Sequence, residues 1–305
     1  MDSLETLRVF LRVAELGAFT RAAESLGLPK ASVSTAVQRL EASVGTQLLH
    51  RTTRRVQLSA DGAAFYQRSR DLVDDMDELH GMFQRDQAQL RGRLRVDMAG
   101  GLARAIVIPR LPEFLTGHPQ LEVEISCTDR LVDVVREGFD CVIRGGTLND
   151  TNLVARPLGL MRMVNCASPA YLSKRGVPAS IDDLAGHILV HYVGTLGQRP
   201  LGFEYRDGAD YRVRAMDGLI TVNNGEAYTA AALAGMGIIQ VPEVGVRDLL
   251  HSGALVEVLP AFPSEPMPVN LLYAQRRHLP QRVGAFMDWV AQVLEPLLDP
   301  LPSAG

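Results

Sequence analysis

The sequence is poor in cysteine and in long apolar runs, and both shortages restrict what the protein can be. Its three cysteines, Cys127, Cys141 and Cys166, are 14 and 25 positions apart, a spacing that provides neither a disulfide framework nor a CxxC zinc motif. No apolar run reaches the roughly 18 residues that a membrane-spanning helix needs, and Arg104 interrupts the best N-terminal candidate. Because no signal peptide opens the chain, we expect a soluble, reduced, cytoplasmic protein.

Motifs of several enzyme classes are missing as well. The chain contains no GxSxG, GxxxxGK[ST] or GxGxxG motif, and the glycine-rich segment 235–240 lacks the third glycine. His187 and His191 have the spacing of a zinc-binding pair, but Ile188 stands where a zinc protease carries its glutamate. Both histidines are expected at strand or helix edges. Neither a catalytic residue nor a metal site is therefore expected.

Length and charge indicate an ordinary globular protein with more than one domain. Its 305 residues exceed what one hydrophobic core usually organises, and 47% hydrophobic with 22% charged residues exclude a disordered chain. Residues 1–59 carry eight basic and five acidic side chains, a net of +3, so residues 60–305 carry −7 of the total of −4. This asymmetry indicates that the N-terminal part meets a polyanion.

Helical periodicity in the first 45 residues predicts three short helices joined by tight turns. The helices are expected to end near Gly17, Gly27 and Gly45, to have Thr20 as the cap of the second, and to have Pro29 in the first turn of the third. Their inner faces are expected to be Leu4, Leu7, Phe10, Leu11 and Ala14; then Ala22, Ala23 and Leu26; then Val33, Val37 and Leu40.

The outer face of the third helix is polar, and a basic segment follows it. That face carries Ser32, Ser34, Thr35, Gln38 and Arg39, and residues 51–55 are Arg-Thr-Thr-Arg-Arg. A helix of this length fills a DNA major groove, short polar side chains reach base edges, and arginines bind phosphates. The pattern predicts a winged helix-turn-helix; the alternative is a small helical protein-interaction module.

A long segment without proline follows. Apolar residues fall on the a and d positions of one heptad register, with Ser69 and Asp86 as polar interruptions: Phe65, Leu72, Met76, Leu79, Phe83 and Leu90. Charged residues flank this narrow stripe and leave little apolar width for packing on the same domain. We expect a helix that dimerises with its counterpart.

After Gly92 the sequence alternates between strands and helices, which predicts an α/β domain with parallel strands. We expect ligands beyond the carboxyl ends of strands, near helix N-termini. The predicted strands are 94–98, 121–126, 140–144, 163–167, 219–222 and 269–274. The predicted helices are 100–115, 131–137, 226–234 and 281–294, with one beginning at 168–169 and a hairpin around 207–208. The last strand and helix are expected to return to the first sheet.

Several segments resemble the LysR-type transcriptional regulators. Residues 19–28 (FTRAAESLGL) resemble the second helix of that family, and Val33-Ser34 with 39–41 and 45–49 resemble the recognition helix and the segment after it. Residues 51–54 and 58–62 are similar to the wing and the start of the linker. In the C-terminal half, residues 138–146 (GFDCVIRGG) resemble a sheet segment of the family, and 167–172 and 183–187 are typical of one of its subgroups. The match covers nearly the full chain in the correct order.

The resemblance implies a winged-helix DNA-binding domain at 1–59, a dimerising linker helix at 60–91, and a two-lobed effector domain like a periplasmic binding protein. Lobe I comprises 92–162 and 267–300, and lobe II comprises 163–266. It also implies double-stranded DNA as a partner, a small-molecule effector of unknown identity in place of a cofactor, a homodimer or homotetramer, and RNA polymerase as a partner if the protein is an activator. Pro29-Lys30 and Thr35 depart from the Ser-Gln and the arginine that the family commonly has.

Two sets of site residues are predicted. The expected DNA contacts are Phe19, Thr20, Arg21, Lys30, Ala31, Ser32, Ser34, Thr35, Gln38, Arg51, Thr52, Arg54 and Arg55. The expected effector contacts are Gly100, Gly101, Thr128, Arg130, Arg144, Gly145, Ser168, Asn223 and Asn224.

Backbone amides with one or two guanidiniums favour an anionic or strongly polar effector. The glycines and alanine expected to leave volume for it are Gly145, Gly146, Gly225, Ala231 and Gly235. The alternative for Arg144 is that it only pairs with a carboxylate such as Asp129.

Two other functions remain open at this point. The C-terminal two-thirds alone suits a solute-binding receptor, although the DNA-reading segment and the missing export signal argue against it. A thiol redox sensor needs an exposed thiol of low pKa with a resolving partner. Cys141 and Cys166 fall in apolar strands and are expected to be buried, which leaves Cys127 as the only candidate for a reactive thiol.

Overall fold

The computed structural model describes residues 3–51, 56–81, 90–146, 153–275 and 279–301. The chain forms two compact units, which meet in sequence between Arg93 and Leu94. Within the described ranges, no helix is long and apolar enough to cross a membrane. Each unit has its own hydrophobic core.

The described part of the first unit consists of four helices and a two-stranded hairpin. Its elements are α1 Ser3–Leu16, α2 Phe19–Leu26, α3 Lys30–Val44, β1 Leu49–Arg51, β2 Val56–Leu58 and α4 Ala60–Gly81. The antiparallel hairpin pairs Leu49 with Leu58 and Arg51 with Val56, so its strands flank residues 52–55, which lie outside the described ranges. Helix–turn–helix followed by a hairpin is the winged helix-turn-helix that the sequence predicts.

The apolar spacing of α1 to α3 produces a single core. Phe10, Val33, Val37 and Leu40 are buried as predicted, and the hairpin contributes the buried Leu49. Each of these helices is followed by a glycine in the left-handed conformation, which costs a residue without a Cβ little. The predicted inner faces and helix ends are therefore confirmed.

The predicted cap of α2 is wrong. Ala18 occupies the N-cap position and Thr20 lies one residue inside the helix, so the Thr20 hydroxyl is not placed to accept from the first amides. Pro29 is the N-cap of α3 rather than a residue of its first turn. Its backbone is extended there, and its carbonyl oxygen accepts from the N–H groups of Ser32 and Val33.

Helix α4 packs against α1 of the same unit. It does so with part of the apolar stripe that is predicted to contact a partner helix. The Phe65 ring contacts the Phe10 ring with centroids 5.6 Å apart, and Ser69 and Val73 are buried on the same side. Phe65 thus packs against the core of its own unit, on the same side of α4 as the buried Val73. The predicted positions Phe83 and Asp86 lie outside the described residues.

The second unit begins with a lobe built on a five-stranded sheet, ordered β4-β3-β5-β14-β6. Its strands are β3 Arg91–Met98, β4 Gln120–Cys127, β5 Cys141–Gly145, β6 Leu153–Met161 and β14 Met267–Ala274. Strand β3 runs parallel to β5, whereas β14 is antiparallel to both β5 and β6. The last strand therefore returns to the first sheet as predicted, but the sheet is mixed rather than parallel, and β6 was not predicted.

The helices of this first lobe are α5 Gly100–Leu102, a π-helical turn Ala103–Val107, α6 Ile108–Gly117, α7 Val134–Glu137 and α11 Gln281–Leu294. Pro109 and Pro112 lack the N–H that a regular helix donates, and the Ile108 N–H is donated to the Ala103 carbonyl five residues back. Helix α7 is shorter than predicted because the Asp133 carboxylate accepts from the Arg136 N–H and caps its start.

The second lobe contains three small sheets between β6 and β14. Its strands are β7 Met163–Ala167, β8 His191–Tyr192, β9 Phe203–Asp207, β10 Asp210–Arg214, β11 Thr221–Val222, β12 Ile239–Pro242 and β13 Val256–Glu257. Its α-helices are α8 Pro169–Arg175, α9 Gly225–Leu233 and α10 Glu243–His251. Strand β7 lies between β12 and β13, and β9 with β10 is the predicted hairpin. Strands β12 and β13 and helix α10 were not predicted, and the strand predicted over 219–222 is reduced to Thr221–Val222.

Candidate functional site

The outer face of α3 is polar and exposed. Helical spacing buries Val33, Ala36 and Val37, and it leaves the polar residues of the opposite face toward solvent. Among the predicted base-contacting residues, Ser34 is half-buried and the exposed ones are Lys30, Ala31, Ser32, Thr35 and Gln38. One face of a single helix thus presents a cation, hydroxyls and an amide, the groups that hydrogen-bond base edges.

The start of α2 and the hairpin carry the remaining predicted DNA contacts. Thr20 and Arg21 are exposed in the first turn of α2, whereas Phe19 packs against the core. Arg51 is the last residue of β1. The predicted phosphate-binding residues Thr52, Arg54 and Arg55 lie outside the described residues.

One carboxylate links the recognition helix to the hairpin. Oε1 of Glu41, in α3, accepts from the N–H groups of Leu48 and Leu49 at 3.0 Å each. The Ser59 hydroxyl adds a further link by donating to the Gln47 carbonyl at 2.6 Å. Sequence reasoning assigned no role to Glu41, because its partners are backbone amides that no side-chain pattern reveals.

In the second unit, Arg144 lies at the carboxyl end of β5 and is buried in an internal network. Its guanidinium pairs with the buried carboxylate of Asp97 and donates to the carbonyl oxygens of Ile143 and Arg130 at 3.1 Å each. The Thr128 hydroxyl lies 3.1 Å from both Asp97 carboxylate oxygens. The suggested partner Asp129 is wrong, because Asp97 on the neighbouring parallel strand is closer. The expectation that Arg144 pairs with a carboxylate is nevertheless correct.

Arg130 is exposed but has a carboxylate partner of its own. Its guanidinium donates two hydrogen bonds to Glu137, at 2.8 and 2.5 Å. The hydrogen bond from Arg130 is the main cause that lowers the pKa of Glu137 to about 2. Both predicted effector-binding arginines therefore have carboxylate partners in this structure.

Polar contacts across the cleft join the two lobes of the second unit. The Asp129 carboxylate accepts from the Gly225 N–H at the start of α9 with an oxygen–nitrogen distance of 2.7 Å. Arg104, in the π-helical turn, donates to the Glu226 carboxylate and to the Gly245 carbonyl oxygen, both at 3.3 Å. The carboxyl ends of β3, β4 and β5 thus face the start of α9, which is where the sequence predicts the effector.

The predicted polar residues of this cleft have different environments. The Asn224 side chain caps α9 by accepting from the Ala227 N–H at 3.0 Å, whereas Asn223 is exposed. Ser168 is buried, and its hydroxyl has no hydrogen-bond partner among the described residues.

The glycines of the cleft leave less room than predicted. Gly100 and Gly101 open α5 and are half-buried. A Cβ on Gly145 would lie 2.7 Å from the Met267 methyl carbon, so Met267 takes up the space that a side chain would fill here. Ala231 belongs to the core of the second lobe. The volume predicted at Gly145 and Ala231 is therefore occupied by protein.

An aromatic pair lies beside the start of α9. The Tyr192 ring is 40% exposed and its centroid lies 5.5 Å from that of Tyr228 in α9. Burial is the main cause that raises the pKa of Tyr192; the Asp129 carboxylate raises it further and Arg144 lowers it. Sequence reasoning missed Tyr192 because β8 has only two residues and no alternation to recognise.

The cysteines lack the environment of a redox sensor. Cys141 and Cys166 are buried as predicted, and burial raises both thiol pKa values, that of Cys166 to about 12. Cys127 is exposed, but desolvation and the nearby carboxylates of Asp97 and Asp129 raise its pKa as well. A raised pKa reduces the thiolate fraction on which reactivity depends.

The histidines with the spacing of a zinc-binding pair, His187 and His191, both lie in the second lobe. His187 is buried, and its Nδ1 lies 3.2 Å from the Tyr171 hydroxyl, which also accepts from the Ile188 N–H at 2.8 Å. His191 lies in β8. Across the described ranges, no group of three or more His, Cys, Asp or Glu residues is placed to bind a metal ion.

Comparison with known proteins covers both units. Residues 4–63 match the family model of the bacterial regulatory helix-turn-helix protein, lysR family, and residues 87–295 match that of the LysR substrate binding domain. An uncharacterized HTH-type transcriptional regulator of Escherichia coli, YhjC, is 48% identical over 98% of this chain and 100% of its own length. An HTH-type transcriptional repressor of Pseudomonas aeruginosa is 36% identical over 96% and 92% of the two chains.

A solved structure is similar over the same range. CrgA, a LysR-type regulator from Neisseria meningitidis, has a TM-score of 0.58 and 29% identity, with 96% of this chain and 98% of that chain covered. The chain therefore belongs to the LysR family of bacterial transcriptional regulators, with an N-terminal helix-turn-helix that binds DNA and a C-terminal effector domain that places this binding under small-molecule control.

Proposed function

We propose that the protein reads its operator with the outer face of α3 and holds the DNA backbone with the wing and the start of α2. The observation that carries this proposal is the polar, exposed face of α3 on a helix whose opposite face forms the core. Lys30, Ser32, Ser34, Thr35 and Gln38 contact base edges in the major groove, where their donors and acceptors discriminate between base pairs.

The remaining predicted residues position the protein on the duplex. Arg51, Arg54 and Arg55 contact phosphates, and Thr20 and Arg21 place the end of α2 against the backbone. Phe19, Ala31 and Thr52 lie beside these groups in the sequence and complete the contact surface. Lys30 and Thr35, which depart from the common family residues, give this protein its own operator preference.

A gel shift with DNA from the protein's own upstream region tests these roles. Arg54→Ala is expected to weaken binding to all sequences alike and to reduce the slope of log affinity against log salt by about 0.9. Gln38→Ala is expected to change the discrimination between operator variants while it leaves that slope unchanged. Arg110→Ala removes one positive charge from the effector domain and is the control. An Arg54→Ala variant with unchanged affinity and slope would refute the wing assignment.

The effector is proposed to bind in the cleft between the lobes. Arg144 and Ser168 are buried and Asn224 caps α9, so these three support the cleft. The other members of the predicted set contact the effector directly. The direct contacts are Gly100, Gly101, Thr128, Arg130, Gly145 and Asn223. A ligand switches DNA binding only if it binds one arrangement of the protein better than another.

Thermal-shift screening of small carboxylates, amines, aromatics and amino acids identifies candidates, because a ligand specific for the native state raises the melting temperature. Asn223→Trp is expected to abolish the shift, since it fills the cleft and leaves the Asn224 cap of α9 intact. A hit that stabilises wild type and Asn223→Trp equally binds outside the cleft and contradicts this assignment.

The protein is further proposed to act in the cytoplasm as a homodimer or homotetramer, with no catalytic activity. An activator would also contact RNA polymerase. The raised pKa of Cys127 argues against the alternative of a thiol switch, since desolvation and then its two neighbouring carboxylates disfavour the thiolate.

A further inference from the structure

The guanidiniums around the cleft are already paired with carboxylates of the protein. Arg144 pairs with Asp97 and Arg104 with Glu226. Arg130 forms two hydrogen bonds to a single carboxylate, that of Glu137. An anionic effector that used any of these cations would first have to separate it from its partner. For Arg144 this would leave a buried carboxylate uncompensated, which is unfavourable.

The Asp129 carboxylate differs from these guanidiniums, because it keeps hydrogen-bonding capacity for a ligand. It has no salt-bridge partner among the described residues, and within them its one hydrogen bond is the one that Oδ2 accepts from the Gly225 N–H. A carboxylate accepts about four hydrogen bonds, so Oδ1 remains able to accept from a ligand. The α9 N-terminus supplies about half an elementary charge, which offsets part of the carboxylate charge.

The negative charge of Asp129 contributes to the raised pKa values of two neighbouring side chains, Cys127 and Tyr192. Burial and the carboxylates of Asp97 and Asp129 raise the pKa of Cys127. Burial and then Asp129 raise the pKa of Tyr192, although Arg144 opposes this effect. Both side chains therefore lie close enough to Asp129 to be affected by its charge.

An exposed aromatic ring stands in the same region. Tyr192 pairs in the β8–β11 register with Val222, next to Asn223 at the exposed edge of the cleft. Its ring is held by the Tyr228 ring, and Tyr228 is fixed in turn because its hydroxyl accepts from the Gln240 N–H at 3.1 Å. A tyrosine face attracts a positively charged nitrogen through the ring quadrupole, and a nearby carboxylate adds to that attraction.

We propose that the effector carries an amine or quaternary ammonium group, which binds to the Asp129 carboxylate and packs against the Tyr192 ring. This proposal rests on the proposed use of the cleft, and it replaces the sequence-based expectation of an anionic effector. The hydrogen bond from Gly225 orients Asp129, so the same carboxylate joins the ligand to the second lobe.

Two probes of the same size and opposite charge, benzylammonium and benzoate, test the proposal on the full-length protein. The measurement is the melting temperature as a function of probe concentration. Benzylammonium is expected to stabilise the wild type and benzoate is not. Asp129→Asn is expected to weaken the apparent affinity for benzylammonium about tenfold or more, since a charge-assisted hydrogen bond is lost. Tyr192→Leu is expected to weaken it about two- to fivefold.

Two further variants separate the proposal from a general effect of charge or folding. Asp182→Asn removes the same charge from a fully exposed carboxylate of the second lobe and is expected to bind benzylammonium as wild type does. Asp129→Glu keeps the charge and is expected to retain most of the affinity.

Stabilisation by benzoate instead of benzylammonium overturns the proposal but leaves small-molecule binding in the cleft intact. Equal stabilisation of wild type and Asp129→Asn by benzylammonium also overturns it. If neither benzylammonium nor tetramethylammonium raises the melting temperature of wild type, no cation is bound and the proposal fails. The gel shift on the upstream DNA then decides the proposed DNA-binding role separately.

Discussion

Asp97 and Arg144 form a buried ion pair that links the carboxyl ends of the parallel strands β3 and β5. Asp97 is 0% exposed and Arg144 is 8% exposed. A pair so far from water persists because its other hydrogen-bonding groups are also satisfied, by the Thr128 hydroxyl on one side and two backbone carbonyls on the other. The cleft is therefore built on a polar network that the fold itself requires.

Asp97→Asn is expected to destabilise the second unit by about 3–5 kcal/mol, because it leaves a buried guanidinium without its counter-charge. Urea unfolding of the full chain, followed by tryptophan fluorescence of Trp289, measures this loss. Arg162→Ala breaks an exposed pair with Glu243 and Glu257 and is expected to cost less than about 1 kcal/mol. Equal effects of the two variants would contradict the structural role of the buried pair.

Gly62→Ala is expected to destabilise the DNA-binding unit by about 1–3 kcal/mol or more through overpacking. A Cβ at this position would lie 1.9 Å from the Leu48 carbonyl oxygen, so α4 has to move away from the hairpin. Thermal unfolding followed by circular dichroism, together with operator affinity, reports the change. Ala64→Ser, on the exposed side of α4, serves as the control, with an expected effect within about 0.5 kcal/mol.

The exposed apolar residues of α4 predict an assembly contact. Leu72 and Leu79 are 56% and 52% exposed, and burying them in two copies of the helix favours association. Leu72→Asp combined with Leu79→Asp is expected to weaken the dimer roughly a hundredfold or more, as light scattering across a concentration series would detect. Arg68→Ala on the same helix should leave the mass unchanged. An unaltered oligomer in the double variant would refute the contact.

His187 predicts a loss of stability in mild acid. Burial, followed by the charge of Arg175, lowers its pKa from the ordinary value, while Asp183 opposes the shift. The unfolded chain therefore binds the proton first, and stability falls as the pH decreases below about 6.5 until His187 titrates in the folded state as well. Melting temperatures between neutral and acidic pH should fall less steeply for His187→Asn than for wild type. His251→Gln, which alters an exposed histidine, should keep the wild-type slope.

Alkylation of the native protein is expected to modify Cys127 alone, and slowly. Cys141 and Cys166 are buried, and Asp97 and Asp129 disfavour the Cys127 thiolate. Mass spectrometry after iodoacetamide treatment counts the modified thiols. Asp129→Asn should accelerate the reaction because it removes one of the charges that raise the thiol pKa, whereas Asp182→Asn should not. Rapid modification of two thiols would restore the redox-sensor hypothesis.

Much of the DNA-binding unit is predictable because its signals are local. Apolar spacing identifies the buried faces of α1 to α3, and glycine in the left-handed conformation at Gly27 and Gly45 fixes where helices end. The cap of α2 is not predictable in the same way. A hydroxyl at Thr20 suits the cap, yet the N-cap is Ala18, two residues earlier, and Phe19 begins the helix packed against the core.

The cleft is less predictable because its partners are distant in sequence. The resemblance places Arg144 at a strand end, but its partner Asp97 is 47 residues away, and the strand order that joins them is not encoded in a local pattern. The same holds for Asp129 and Gly225, which are 96 residues apart. Residue types alone predict an anion site, whereas the pairing of each guanidinium with a carboxylate is the basis of the proposed cationic ligand.

The position of β14 in the five-stranded sheet has a consequence for the order of folding during synthesis. Strand β5 ends at Gly145, but its neighbour β14 begins only at Met267, after the whole second lobe. At ordinary rates of translation, on the order of ten seconds separate the two strands. The second lobe can therefore fold while the first still exposes one edge of β5. A chain that ends before Met267 lacks β14, so that edge of β5 and strand β6 stay without their partner.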